Sequence, residues 1–413
     1  MTLLEAAELQ LPKVFRSGTD RIVPPEVTLR RAWDRRREMG ITRLANITGL
    51  DDIGLPVYMA CRPNSKSLSV TQGKGATVGA AKASAIMEAV ESFHAETIDL
   101  PLLLGTWRDI ARRYPVAPLE QLPLIKTASP DLDCPMLWIE AADWMSGEPL
   151  YVPYDMVHLD LTYQTRLGRG LFDVTSNGLA SGNHLIEAVN HGICELLERD
   201  AMALWFHAPA RRRQESAVNL DSVSDDVCRS ALELLDAASI PVRVWDTTAD
   251  HGIPSYLCMI SDQQEQWQGL YAASGMGCHP RREVALHRAI SEAIQSRLTI
   301  IAGARDDVGP ADYRRLMTTR VLRAALDVTT AGGATRDFHA TPTHDNDFVE
   351  ADNDLLLSRL RDVGLRQVAV VDLTRPDIGI PVARVIIPSL EFYINPELYT
   401  PGERARACGE STA

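Results

Sequence analysis

The chain has 413 residues, 45% of them hydrophobic and 23% charged, with a formal net charge of −13. Such a composition supports a large packed core and excludes a low-complexity chain. No apolar run reaches the ~18–20 residues that span a bilayer. The acidic balance, broken only by short basic runs at 30–31, 35–37 and 211–213, argues against nucleic acid as a partner. Residues 1–13 lack the basic-then-apolar order of a secretory signal, which makes the cytoplasm the expected address. Seven cysteines include no C-x-x-C pair, so neither a disulfide framework nor a structural zinc site is indicated.

In chain order, an extended lead-in over 14–27 runs into a basic amphipathic helix over 29–38, closed by Gly40. Residues 42–47 and 55–60 read as strands. A glycine-rich turn, Gly73-Lys74-Gly75, leads into a helix over 79–96. Residues 135–152 alternate as strands around Ser146-Gly147. A second turn, from Ser176-Asn177-Gly178 to Gly182-Asn183, opens a helix ending near Phe206. After the polar stretch 209–225 a short helix reaches Ala238, and strands follow at 242–245 and 255–260. A third glycine turn, Gly275-Met276-Gly277, leads into a helix over 283–302. Residues 328–348, rich in Thr, Gly, Ala and Asp, read as a long mobile loop. Strands at 368–373 and 382–387 precede a poorly ordered tail over 400–413, in which Cys408 is the cysteine expected to be exposed.

The three turn-then-helix segments align with one another. Their helical cores read Glu88-Ala-Val-Glu91, Glu195-Leu-Leu-Glu198 and Glu292-Ala-Ile-Gln295, each preceded one turn earlier by a polar residue: Ser84, His191 or Arg288. Positions i, i+3 and i+4 share a helix face, so each acid pair lines one stripe, with Glu187 two turns before Glu195. Flanking residues are apolar, which sets these acids beside the core rather than on a fully solvated face. Converging carboxylates make an oxygen-rich site suited to Mg²⁺ with nucleotide phosphates. Glycine turns opening helices offer backbone N–H groups to anions, and Lys74 adds a positive charge. A single E-x-x-E pair is most often a solvated face, and Gly-Lys-Gly lacks the full Walker spacing; three copies in matched positions carry the argument.

These segments resemble the YcaO family. The resemblance rests on Gln72-Gly-Lys-Gly-Ala-Thr77 with Ser84, Glu88 and Glu91. It continues in Ser176-Asn-Gly-Leu-Ala180 through Gly182-Asn183 with Glu187, Glu195, Glu198, Arg199 and Asp200, and in Arg288, Glu292 and Gln295. It extends over about 16–391, which leaves 1–15 as an N-terminal extension, 16–391 as one intertwined catalytic domain and 392–413 as a tail. It implies an α+β fold of mixed sheets with packed helices enclosing a nucleotide cleft, and ATP and Mg²⁺ as cofactors. By motif, Glu88, Glu91, Glu195 and Glu198 become the expected metal ligands. Lys74, Ser84, Asn183, Glu187, Arg199, Arg288, Glu292 and Gln295 become nucleotide contacts or their supports, with Arg21, Thr28 and Arg384 as further contacts. No residue is assigned as the catalytic acid, base or nucleophile. One departure stands out: the first signature often ends in Glu-Arg, whereas Ser92 follows Glu91 here.

The family's chemistry activates a backbone amide by transferring phosphoryl to its oxygen, so that a poor leaving group departs as phosphate. Members divide by nucleophile. This chain ends without the proline-alternating tail common in azoline-forming members, and its first ~70 residues leave little room for a winged-helix leader-binding module. These absences point to a stand-alone thioamide-forming enzyme acting on a peptide with a TfuA-like partner, in a homodimer as is common in the family. Alternatives are an azoline-forming cyclodehydratase served by a separate leader-binding protein, an amidine-forming enzyme, and a non-catalytic adaptor that binds nucleotide or peptide. A ligase with a small-molecule substrate is a further possibility.

Overall fold

The computed structural model describes residues 10–126, 128, 131–162, 170–262, 272–316, 318–392 and 399–410. After α1 (Pro25–Asp34), strands β1 (Arg43–Asn46), β2 (Val57–Cys61) and β3 (Val70–Lys74) form an antiparallel sheet on which α2 (Val78–Glu96) folds back. Next come β4 (Leu102–Gly105), α3 (Trp107–Ala111), β5 (Met136–Asp143), β6 (Pro149–Pro153), β7 (Leu179–Ser181) and the long helix α4 (Leu185–His207). Then follow α5 (Ala210–Glu215), α6 (Asp226–Ala237), strands β8 (Val242–Asp246), β9 (Ser255–Ser261) and β10 (Ala272–Cys278), and helix α7 (Arg282–Ala302). The chain closes with α8 (Pro310–Leu316), α9 (Thr319–Thr329), α10 (Val349–Asp362), β11 (Ala369–Asp372), β12 (Val382–Ile386) and α11 (Glu403–Glu410).

Strands β10-β9-β8 make a second antiparallel sheet. The order β4-β5-β11-β12-β7, with β6 on β5, makes a third. The fold is α+β, as expected, and every pairing between these strands is antiparallel. Apolar residues of α2 pack with the third sheet, those of α4 with β11, β12 and α10, and those of α6 and α7 with β8 and β9. Helix starts follow local chemistry: the Thr77 hydroxyl accepts the Ala80 N–H, Asp225 accepts the Cys228 N–H, and Gly303, at φ 58°, ends α7.

Two of the three expected glycine turns are strands. A Cβ at Gly73 would overlap the backbone nitrogen of Ala85 on α2, and one at Gly275 that of Ala293 on α7. The glycines of β3 and β10 are there because a strand lies directly against the following helix, closer than any side chain allows. Only Gly178, at φ 73°, sits in a turn.

Residues 328–348 are not a loose loop. Phe338 is buried, Arg336 pairs with Asp246 at 2.7 Å, and the Thr341 hydroxyl bonds the same carboxylate. The C-terminal stretch is likewise ordered over 399–410: Arg404 grips Asp200 at 2.8 and 2.9 Å, and Ala405 is buried. Cys408 is half-buried there, with its thiol against the Leu204 carbonyl. At the other end, Lys13 is buried between Asp20 (3.1 Å) and Asp352 (2.7 Å), so the described part of 1–15 is fastened to α10. Residues 1–9 and 411–413 lie outside the described residues.

Candidate functional site

Three strand-then-helix units, β3–α2, β7–α4 and β10–α7, repeat one hydrogen bond. The N–H of Gln72 donates to Glu88, that of Gly178 to Glu195 and that of Met276 to Glu292, at 3.2, 3.3 and 3.4 Å. In each unit a backbone donor at or just before the strand turns the first acid of the helix inward. The units then close on one another. Glu91 of the first accepts the Ser181 N–H and hydroxyl of the second, at 2.8 and 2.7 Å. Arg199 of the second reaches the Met276 sulfur of the third at 3.6 Å. Lys74 of the first pairs with Glu292 of the third at 3.1 Å, and the Gln295 amide donates to the Gln72 carbonyl at 3.2 Å. The result is a ring of acids with Lys74 and Arg199 between them.

The remaining expected residues divide into two groups. Asn183, Glu187, Arg21 and Thr28 form one patch: Asn183 donates from its backbone and side chain to Glu187 (2.8 and 3.2 Å), Thr28 donates to Asn183 (2.9 Å), and Arg21 lies 3.5 Å from Glu187. Arg288 donates to the His191 ring at 3.0 Å, and both line, with Arg21 and Glu187, a small cavity of about 30 Å³. Ser84 stands half-buried on α2, one turn before Glu88. Arg384 keeps one donor, Nη1, without a hydrogen-bond partner among the described residues. It is buried on β12, and its guanidinium donates to the Met156 and Thr175 carbonyls at 2.7 and 2.5 Å. Its place is beneath the turn that presents Gly178, from where its charge reaches Glu195.

The electrostatics show how little cation the ring contains. Burial lifts the Glu88 carboxyl to about 7 and Glu91 to about 8; Lys74 and Arg305 hold Glu88 down in part, while Glu88 and Glu195 push Glu91 further up. Burial also raises Glu195 and Glu198 despite Arg199, which lies 3.6 and 3.5 Å from them. Burial acts on Glu292 too, but Lys74 and Arg199 outweigh it and keep that carboxyl below its ordinary range. Side chains of Lys74, Glu195 and Glu292 keep 21, 20 and 26% of their surface open, so a ligand can reach them. Several polar atoms here find no hydrogen-bond partner among the described residues: Gln295 Oε1, Arg199 Nε, Arg288 Nε, Glu187 Oε1 and Asn177 Nδ2.

A carboxylate set raised by burial, with orphaned donors and acceptors around it, fits divalent cations and an anion bound together. Among the described residues, the tightest acid–histidine group is instead Asp20, His279 and Asp352, whose ligand atoms lie within 4.8 Å of one another. The Lys13 ammonium already sits between those two aspartates, so that group carries its own cation. No three acids of the ring are drawn so close.

Sequence reasoning missed Ser181, the Arg288–His191 contact and Arg305. Ser181 lay inside the quoted second motif and His191 was marked by the repeat. Nothing in the sequence signals Arg305, which approaches from the far end of α7.

Comparison with known proteins decides the family. The profile described as YcaO cyclodehydratase, ATP- and Mg²⁺-binding, matches residues 72–391. The chain belongs to the YcaO family. It is 36% identical over 394 residues to an uncharacterized protein in the tfuA 3′ region of Rhizobium leguminosarum bv. trifolii, covering 94% of this chain and 92% of that one. An uncharacterized protein of Methanothermobacter thermautotrophicus is 35% identical over 385 residues, covering 91% and 96%. In fold, the chain resembles the YcaO of Methanopyrus kandleri bound with AMPPCP and Mg²⁺, at a TM-score of 0.72 and 22% identity over 95% of this chain and 99% of that one. It also resembles a heterocyclase in complex with substrate and cofactor, at 0.77 and 22%, covering 96% of this chain and 55% of that one. The chain thus spans about half the length of that heterocyclase. No helix among the described residues is long and apolar enough to cross a membrane.

Proposed function

We propose that the ring of glutamates holds Mg²⁺ and the triphosphate of ATP, and that the protein uses them to activate a backbone amide of a peptide, forming a thioamide with a TfuA-like partner. The observation that carries the reading is the set of inward carboxylates from two facing helices, Glu88 and Glu91 on α2 and Glu195 and Glu198 on α4, all raised by burial, with Glu292 of α7 beside them. Glu88, Glu91, Glu195 and Glu198 would hold the metal. Lys74, Arg199 and Arg288 would neutralise phosphate charge, with Glu292 and Gln295 fixing the first unit against the third. The patch of Asn183, Glu187, Arg21 and Thr28 would take the rest of the nucleotide, next to the cavity at His191. When bound, the nucleotide supplies a phosphoryl group that turns the amide oxygen into a leaving group. The chain's own task is positioning and charge neutralisation in a site that excludes bulk water. Thioamide formation is favoured over the other outcomes by the likeness to a protein from a tfuA region.

The test is a reaction of purified protein with MgATP, sulfide, the TfuA-like protein and the short peptide encoded nearest the gene, read by mass spectrometry. Exchange of oxygen for sulfur makes the peptide heavier and supports the reading. A product lighter by one water would replace it with azoline or amidine formation. ATP turnover unchanged in Glu88→Gln and Glu195→Gln would remove the catalytic assignment of these glutamates, and wild-type protein that binds but does not turn over ATP with peptide would leave an adaptor.

A further inference from the structure

The three units do not share cations equally. Glu195 and Glu198 have Arg199, and Glu292 has Lys74. The residue matching Arg199 in the first unit is Ser92, whose hydroxyl turns back to the Glu88 carbonyl at 3.1 Å. Among the described residues, no Lys or Arg comes within ion-pair distance of Glu88 or Glu91.

The loop leaving α7 approaches this gap. It is fastened beside β3 by Asp306, which accepts the Ser69 N–H at 3.2 Å and the Ser69 hydroxyl at 2.7 Å. Ser69 immediately precedes the strand whose Gln72 N–H orients Glu88. Arg305, the preceding residue of the loop, is steered by Asp307, which accepts from its Nε at 2.8 Å and its Nη2 at 2.5 Å. Its Nη1 makes no hydrogen bond among the described residues, and its side chain keeps 32% of its surface open. The Arg305 and Glu88 charges act on one another without an ion pair. Arg305 is thus a cation oriented by Asp307, with a free donor edge, on a loop fastened beside the strand that orients Glu88.

We propose that Arg305 is a positioning residue for the triphosphate, supplying from the α7 loop the positive charge that the first unit lacks at Ser92. Ligand phosphate completes the free edge of its guanidinium while Asp307 keeps the fork oriented. The inference rests on the proposed function above.

The experiment measures equilibrium binding of ATP, at saturating Mg²⁺, and of adenosine to the intact wild-type protein, Arg305→Ala, Arg305→Lys and Asp307→Asn, by calorimetry. Arg305→Ala is expected to weaken ATP about 10-fold, the scale of one partly screened charge pair, and to leave adenosine unchanged. Arg305→Lys keeps the charge and should recover most of the loss; Asp307→Asn should weaken ATP by a smaller factor. ATP affinity within two-fold of wild type in Arg305→Ala overturns the inference. So does an equal loss for adenosine, which would mark a collapsed loop rather than a missing charge. Wild-type protein that bound no MgATP would overturn the nucleotide reading itself.

Discussion

Burial raises Glu91 further than Glu88 or Glu198. Ser181 supplies two hydrogen bonds to its carboxylate, yet burial and the neighbouring Glu88 and Glu195 lift it to about 8. An acid whose folded value exceeds its unfolded one favours folding fully only below the unfolded value, and that contribution is lost as pH rises through the folded one. The metal-free protein therefore loses stability from Glu91 between about pH 4.5 and 8. Glu91→Gln removes the titration while keeping an acceptor for Ser181. It is expected to melt a few degrees (roughly 2–4 °C) above wild type at pH 8 without metal, with the gain vanishing near pH 4.5. Paired thermal melts check this, and the same variant should lose the stabilisation that MgATP gives wild type. A melting temperature for Glu91→Gln below that of wild type at pH 8 would mean that the carboxylate is satisfied as it stands.

At the level of elements, the glycines of β3 and β10 matter for packing. Gly275→Ala would drive a methyl into the Ala289 carbonyl and the Ala293 nitrogen of α7, a backbone contact that no rotamer relieves. We expect a loss of about 2–4 kcal/mol in urea unfolding; a change under about 0.5 kcal/mol would show that strand and helix can separate freely. This geometry explains where sequence reading fell short. Gly-Lys-Gly and Gly-Met-Gly carry the composition of turns, and only the tertiary approach of a helix shows that they are strands. The long helices α2, α4 and α7 were legible because their apolar residues recur at helical spacing behind glycine-containing segments. Helices α8, α9 and α10 were not, being short or polar, and the 328–348 segment was misread because Phe338 and Arg336 find their partners far away in sequence. The acids of the site were legible through the repeat. Arg305 and Ser181 were not, since their roles depend on which chain segments meet.

For the molecule as a whole, two sets of buried groups act against each other. Burial holds His251 and His287 at about 4 and also lowers His94, His191 and His279. The unfolded chain then takes up protons near pH 6.5 that the folded one refuses, so acid destabilises the fold as pH falls from about 6.5 to 4. The ring carboxylates act with the opposite sign up to about pH 7 to 8. Unfolding midpoints of the metal-free protein should accordingly decline as pH rises from about 7 to 8, where the histidine contribution fades and Glu91 still titrates. MgATP, by holding them ionised, should flatten that decline. A metal-free protein whose stability rises steadily over this range would contradict the assignment of buried, cation-poor acids.

The most direct measurement is anomalous diffraction from crystals of the protein grown with Mn²⁺ and a non-hydrolysable ATP analogue. The account predicts manganese peaks between the carboxylates of Glu88, Glu91, Glu195 and Glu198, with the phosphates between the ring and Lys74 and Arg199. Manganese bound only elsewhere, with the four carboxylates bare beside an ordered nucleotide, would contradict it.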